Sequence, residues 1–204
     1  MGHRQGERRA ESRPTVMLLG DSLCTPAYND WFDGANAMLG TPLDLIGVSA
    51  QGGGLVVDMG KRAESDIVGA RARPTFCMVE GGGNDIRRGG IAPETIEASL
   101  AMIYARLRSV GITAIASTVL AGTTEPGEAA RGKYQHVNGW LRSYCREHQV
   151  VLCDWVPHLQ VAGDPERLDA ALFEDTYHPN PRGRAAMADA LAEVLSDTCR
   201  PAPG

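Results

Sequence analysis

Five short apolar runs recur along the chain, each separated from the next by a longer stretch of helix-compatible sequence, and no other feature constrains the fold as much. Residues 15–19, 43–48, 75–79, 112–119 and 150–154 are rich in Val, Ile, Leu or Met and mostly unalternating, as parallel strands buried on both faces must be. Residues 26–39, 55–70, 93–108, 132–148 and 181–197 read as helices. Ala92-Pro93-Glu94 puts Pro in a first turn, Ser109-Val110-Gly111 supplies a stop, and Asn180-Pro181 starts the last helix with Asn180 as N-cap. Ile96, Leu100, Ile103 and Leu107 recur at helical spacing as a core-facing stripe. Strict β-α alternation predicts an α/β fold, a three-layer αβα sandwich around a five-stranded parallel sheet.

The 204 residues fit a single domain over 14–204, large enough to bury a core without disulfides. Arg4, Arg8, Arg9 and Arg13 cluster ahead of it, so residues 1–13 read as a basic, solvated and poorly ordered tail. A net charge of −5 argues against a nucleic-acid partner. No window approaches the roughly 20 apolar residues of a membrane span, and residues 1–13 hold no apolar core of a signal peptide, so a cytoplasmic location is expected.

Cys24, Cys77, Cys145, Cys153 and Cys199 are odd in number and irregularly spaced, as reduced thiols used for packing are. Cys145, His148 and Cys153 lack a fourth ligand, so no metal is expected. Neither Gly81–Gly83 nor Gly52–Gly54 completes a dinucleotide fingerprint, because Ile86 and Val57 occupy the third glycine positions, and no P-loop is present. No cofactor is expected.

Ligands of an open α/β sheet bind at the carboxyl ends of its strands. Ser22 follows the first strand, Gly52-Gly53-Gly54 the second and Gly82-Gly83-Asn84-Asp85 the third, while Asp175-Thr176-Tyr177-His178 precedes the last helix. These four features therefore meet along one rim. A serine hydroxyl is a poor nucleophile until a base takes its proton; His178 is the natural base, and Asp175, three residues earlier, can accept its other N–H. Asn84 offers a side-chain N–H to an oxyanion, joined by the backbone N–H groups of Ser22 and of a glycine among 52–54. The nucleophile-elbow pattern G-x-S-x-G is absent, since Cys24 replaces its second glycine. Asp21 and Asp85 are expected to bond backbone within their own turns. Cys24 reads as a packed thiol rather than an acyl carrier, and His136, His148 and His158 read as surface residues. Residues 120–132 form the longest polar loop.

Gly20-Asp21-Ser22-Leu23, Gly82-Gly83-Asn84-Asp85 and Asp175-x-x-His178, in that order on an α/β pattern, resemble the three blocks of the SGNH (GDSL) hydrolases. The resemblance covers the chain after residue 14. It implies a flavodoxin-like fold, Ser22 as nucleophile, His178 as base, Asp175 as its partner, and Ser22 and Asn84 as oxyanion donors. The family's glycine after the second strand aligns with either Ala50 or Gly52, and distance from Asn84 selects Gly52. The expected activity is hydrolysis of a small-molecule carboxylic ester. An acyltransferase using the same serine and a catalytically silent binding module are the alternatives.

Overall fold

The structure is a computed structural model that describes residues 13–88, 90–123 and 128–198. Strands β1 (Thr15–Gly20), β2 (Asp44–Ala50), β3 (Phe76–Val79), β4 (Thr113–Ser117) and β5 (Val151–Cys153) form one sheet in the order β2-β1-β3-β4-β5. Every pairing in it is parallel. Helices α1 (Asp30–Met38), α2 (Val56–Arg62), α3 (Gly83–Arg87), α4 (Pro93–Ser109), α5 (Glu128–His148), α6 (Val156–Leu159) and α7 (Pro181–Thr198) connect and cover it, and α2 runs on into a wider helical turn over Ala63–Val68. A two-residue strand β6 (Gln160–Val161) pairs antiparallel with β7 (Asp164–Leu168).

The unalternating strands make two cores. In β1, Val16 and Leu18 face one layer with Trp31, Phe32 and Ala35 of α1 and Met187 and Leu191 of α7. Met17 and Leu19 face the other, with Val56 and Met59 of α2, Ile96, Leu100 and Leu107 of α4 and Leu141 of α5. Successive side chains on a strand point to opposite faces, so a strand sandwiched between helix layers must be apolar at every position. β2 departs from the expectation. It is an edge strand, and Leu45, Ile46 and Val48 are 38%, 40% and 38% exposed.

Of the expected helices, 26–39 is shortened at its start, where a 3-10 turn (Ser22–Cys24) and further turns take the chain to α1. The loop expected over 120–132 ends earlier, because α5 already runs from Glu128. Asn180 caps α7 through its Oδ1, which accepts from the N–H of Arg182 at 2.9 Å and of Gly183 at 3.1 Å. The basic tail lies outside the described residues except for Arg13, whose Nη1 is 3.6 Å from Asp44 Oδ1. Among the described residues no helix is long and apolar enough to cross a membrane.

The strand order reverses direction between β1 and β3, so the chain leaves these neighbours toward opposite sides and opens a crevice at their carboxyl ends. Ser22 and Asn84 flank that crevice.

Candidate active site

Ser22 leaves the sheet on the 3-10 turn after β1. Asp21 caps this turn: its Oδ1 accepts from Leu23 N at 3.3 Å and from Ser22 Oγ at 3.4 Å. The carboxyl ends of β1 and β2 are tied together by Arg62, whose guanidinium donates to Gly20 O at 2.9 Å and Ser49 O at 2.7 Å. The nucleophile candidate thus stands on a clamped strand end.

His178 and Asp175 come from the loop ahead of α7. Asp175 Oδ1 accepts from the backbone N–H of Tyr177 at 2.7 Å and of His178 at 2.8 Å, folding the loop around its own carboxylate. Asp175 Oδ2 stands 2.7 Å from His178 Nδ1, and His178 Nε2 stands 3.1 Å from Ser22 Oγ. A carboxylate accepts only, so Nδ1 carries the proton and the Nε2 lone pair faces the serine hydroxyl. Burial pulls the Asp175 pKa upward, but bonds from the His178 ring and from the two backbone N–H groups hold it below the ordinary carboxylate range. Tyr28, on the turns before α1, stacks on the imidazole with ring centroids 4.5 Å apart and planes 12° from parallel, fixing its plane from the other side.

Asn84 is buried on the first turn of α3, reached through Gly82 at φ 113°, a conformation that favours glycine. Its Nδ2 donates to Asp21 Oδ2 at 2.8 Å and Gly54 O at 3.2 Å, while its Oδ1 accepts from Arg87 at 2.8 Å. Turning the amide over would set its oxygen against two acceptors and its NH₂ against a guanidinium, so the partners determine its orientation. Gly52 stands exposed in the turn after β2 and is not part of the cleft lining; Gly54 of the same turn is the residue that touches Asn84.

Asp85 reaches further than its own turn. Its carboxylate accepts from the N–H of Val56 at 2.9 Å and of Val57 at 3.4 Å, so it caps α2 from α3. His136 lies 3.1 Å from Glu97 and His158 3.7 Å from Glu193, away from the cleft. Cys24, Cys77, Cys145 and Cys153 are free and buried. The Cys24 thiol is pushed well up by burial and then by the Glu80 and Asp21 carboxyls, as befits a packed, protonated thiol.

Glu80 was not anticipated. It directly follows β3, is 6% exposed, and lines the cleft together with Ser22, where its Oε2 accepts from Asp21 N at 3.1 Å. Burial first, then the Asp21 charge, raise its pKa well above the ordinary carboxylate range, which favours the protonated acid. A polar residue closing a wholly apolar run was the signal in the sequence, since an acid there must be neutralised or paired.

Residues 18–186 match the profile of the GDSL-like Lipase/Acylhydrolase family. No curated protein matches the chain. Among solved structures, a member of the lipolytic protein G-D-S-L family from Veillonella parvula is 23% identical, with 89% of this chain and 98% of that one covered at a TM-score of 0.71. A GDSL-like lipase from Bacteroides thetaiotaomicron is 17% identical, over 90% of this chain and 88% of that one, at a TM-score of 0.72. A catalytic mutant of an acetylxylan esterase from Geobacillus stearothermophilus is also 17% identical, over 90% and 94%, at a TM-score of 0.72. At such identities these structures share the fold. The profile spans most of the sequence, from β1 to α7, and the chain belongs to the GDSL-like lipase/acylhydrolase (SGNH hydrolase) family.

Proposed function

We propose that the protein is a serine esterase that cleaves a small-molecule carboxylic ester through an acyl-enzyme on Ser22. The observation that carries this reading is the continuous relay from Asp175 Oδ2 through His178 to Ser22 Oγ, with spans of 2.7 and 3.1 Å, at the crevice between β1 and β3. Ser22 Oγ attacks the ester carbonyl as His178 Nε2 takes its proton, and Asp175 stabilises the imidazolium that forms. The oxyanion is met by the Ser22 backbone N–H and by Asn84 Nδ2, whose longer bond, to Gly54 O at 3.2 Å, is the one exchanged. A third donor is expected from the exposed turn after β2, at the Gly52 backbone N–H. His178 Nε2–H then protonates the leaving alcohol, and water activated by the same nitrogen releases the acid. A reducing cytoplasm suits the four buried free thiols.

The test is hydrolysis of p-nitrophenyl esters from acetyl to long-chain acyl by wild type and Ser22→Ala, with fluorophosphonate labelling of the serine. Turnover and labelling that both vanish in Ser22→Ala are expected. Labelling without hydrolysis, with product diverted to an added alcohol or amine, would make the protein an acyltransferase; absence of both would make it a binding module.

A further inference from the structure

Arg87 closes α3 one turn beyond Asn84 and is exposed to solvent. Two contacts fix its guanidinium. An Nη2–H bonds Asn84 Oδ1 at 2.8 Å, and the group lies 4.0 Å from the centroid of the Tyr177 ring. Tyr177 is itself held by its N–H to Asp175, so the arginine is anchored to both halves of the site. It is the one lysine or arginine among the residues that line the cleft, and among the described residues no carboxylate forms an ion pair with it.

The acids nearby do not compensate this charge from within the cleft. Asp21 is hydrogen-bonded by Leu23, Ser22 and Asn84, Asp175 is paired with His178, and buried Glu80 accepts from Asp21 N, so none of the three bonds the Arg87 guanidinium. Guanidinium is a fork of five donors, of which one bond to Asn84 occupies a single N–H. The others are free to take a planar or tetrahedral anion beside the reacting carbonyl.

We propose that the cleft selects esters carrying a compact anionic group, a carboxylate or phosphate, close to the scissile carbonyl, and that Arg87 is the residue that binds it. The assignment rests on the esterase reading and adds the substrate class to it. Arg87 touches the anion rather than the reacting atoms, so its contribution appears mainly in KM for the charged ester.

Two matched pairs test it on the two sides of the bond: p-nitrophenyl hemisuccinate against p-nitrophenyl pentanoate for an anion on the acyl side, and 4-acetoxybenzoate against phenyl acetate for one on the alcohol side. The readout is the anionic-to-neutral ratio of kcat/KM, in which any effect of Arg87 on Asn84 cancels. Arg87→Gln is expected to lower that ratio about tenfold in one pair, through KM. Arg87→Lys should retain part of the preference, and added salt should erode it in wild type. A ratio that Arg87→Gln leaves unchanged in both pairs, while wild type cleaves the neutral esters, overturns the assignment alone. Failure of wild type to cleave any of the four overturns the esterase reading and this assignment together.

Discussion

Replacing Glu80 with Gln should stabilise the protein increasingly as pH rises. In the unfolded chain a glutamate loses its proton near pH ~4.3. In the folded protein burial and the neighbouring Asp21 carboxylate keep Glu80 protonated well beyond that. The groups facing it are Asp21, which also donates its backbone N–H to Glu80 Oε2 at 3.1 Å, and the Cys24 thiol. Between the two pKa values the folded state holds one proton that the unfolded state has released. Stability therefore falls as pH rises through that window, by about 1.4 kcal/mol per pH unit.

A glutamine has no proton to lose there. Its amide oxygen accepts from Asp21 N and its NH₂ donates toward the Asp21 carboxylate, so it copies the protonated acid in shape and polarity. The gap in unfolding free energy between Glu80→Gln and wild type should thus widen above the pH at which the unfolded chain releases this proton, by roughly 1 kcal/mol per pH unit for as long as folded Glu80 keeps it. The 5 histidines are common to both proteins and cancel in the difference. Urea unfolding at three pH values, followed by the fluorescence of the buried Trp31 and Trp155, measures the gap. A gap that does not change with pH would refute the argument, because it would mean that Glu80 is as ionised in the folded protein as in the unfolded chain.

Ser22→Ala and His178→Ala are each expected to cost about 10³-fold or more in kcat, and the double mutant little beyond either; additive losses in ester kinetics would separate the two residues. Asn84→Ala should lower kcat about 10²-fold with little change in KM, and a pure KM effect would remove it from the oxyanion hole. Gly122→Ala should cost about 1–2 kcal/mol in thermal or urea unfolding and lower kcat as well: Gly122 has φ 77°, and an added Cβ would lie 2.8 Å from the Tyr177 ring and 3.0 Å from Thr176 O on the loop that carries His178. Unchanged stability and turnover would detach this loop from the site.

The sheet was readable because burial on both faces leaves a strand no choice of composition. The observed strand limits fall within three residues of the apolar runs: residues 15–19 became Thr15–Gly20, and 112–119 became Thr113–Ser117. The same criterion misreads β2. An edge strand with Leu45, Ile46 and Val48 part-exposed carries the same apolar run as a central one, since sequence records residue type and not how many neighbours cover it. The short elements left no periodic trace. α3 has 5 residues and β6 has 2, too few for a helical or alternating repeat to register.

The site divides along a similar line. Ser22, Asn84, Asp175 and His178 were legible because fold class alone sends the ends of β1 and β3 to one crevice, and the spacing of Asp175 and His178 makes them partners within one loop. What escaped is whatever depends on contacts between loops. Tyr28 lies 150 positions from the histidine it stacks on, and an isolated tyrosine before a helix has no pattern to distinguish it. Asp85 was expected to stay within its turn, yet it spends both oxygens on α2, because a carboxylate at a helix N-terminus gains the unpaired N–H groups that a local turn does not offer. Arg87 stands beside Arg88 in the sequence, and nothing in either name tells which one turns toward the cleft. In the structure Arg87 bonds Asn84 and lines the cleft, while Arg88 lies 3.5 Å from the carbonyl of Gly53. A helical step of roughly 100° between neighbours sends one guanidinium into the cleft and its neighbour to the turn after β2, and that rotation, not composition, decides which of the two charges lines the cleft.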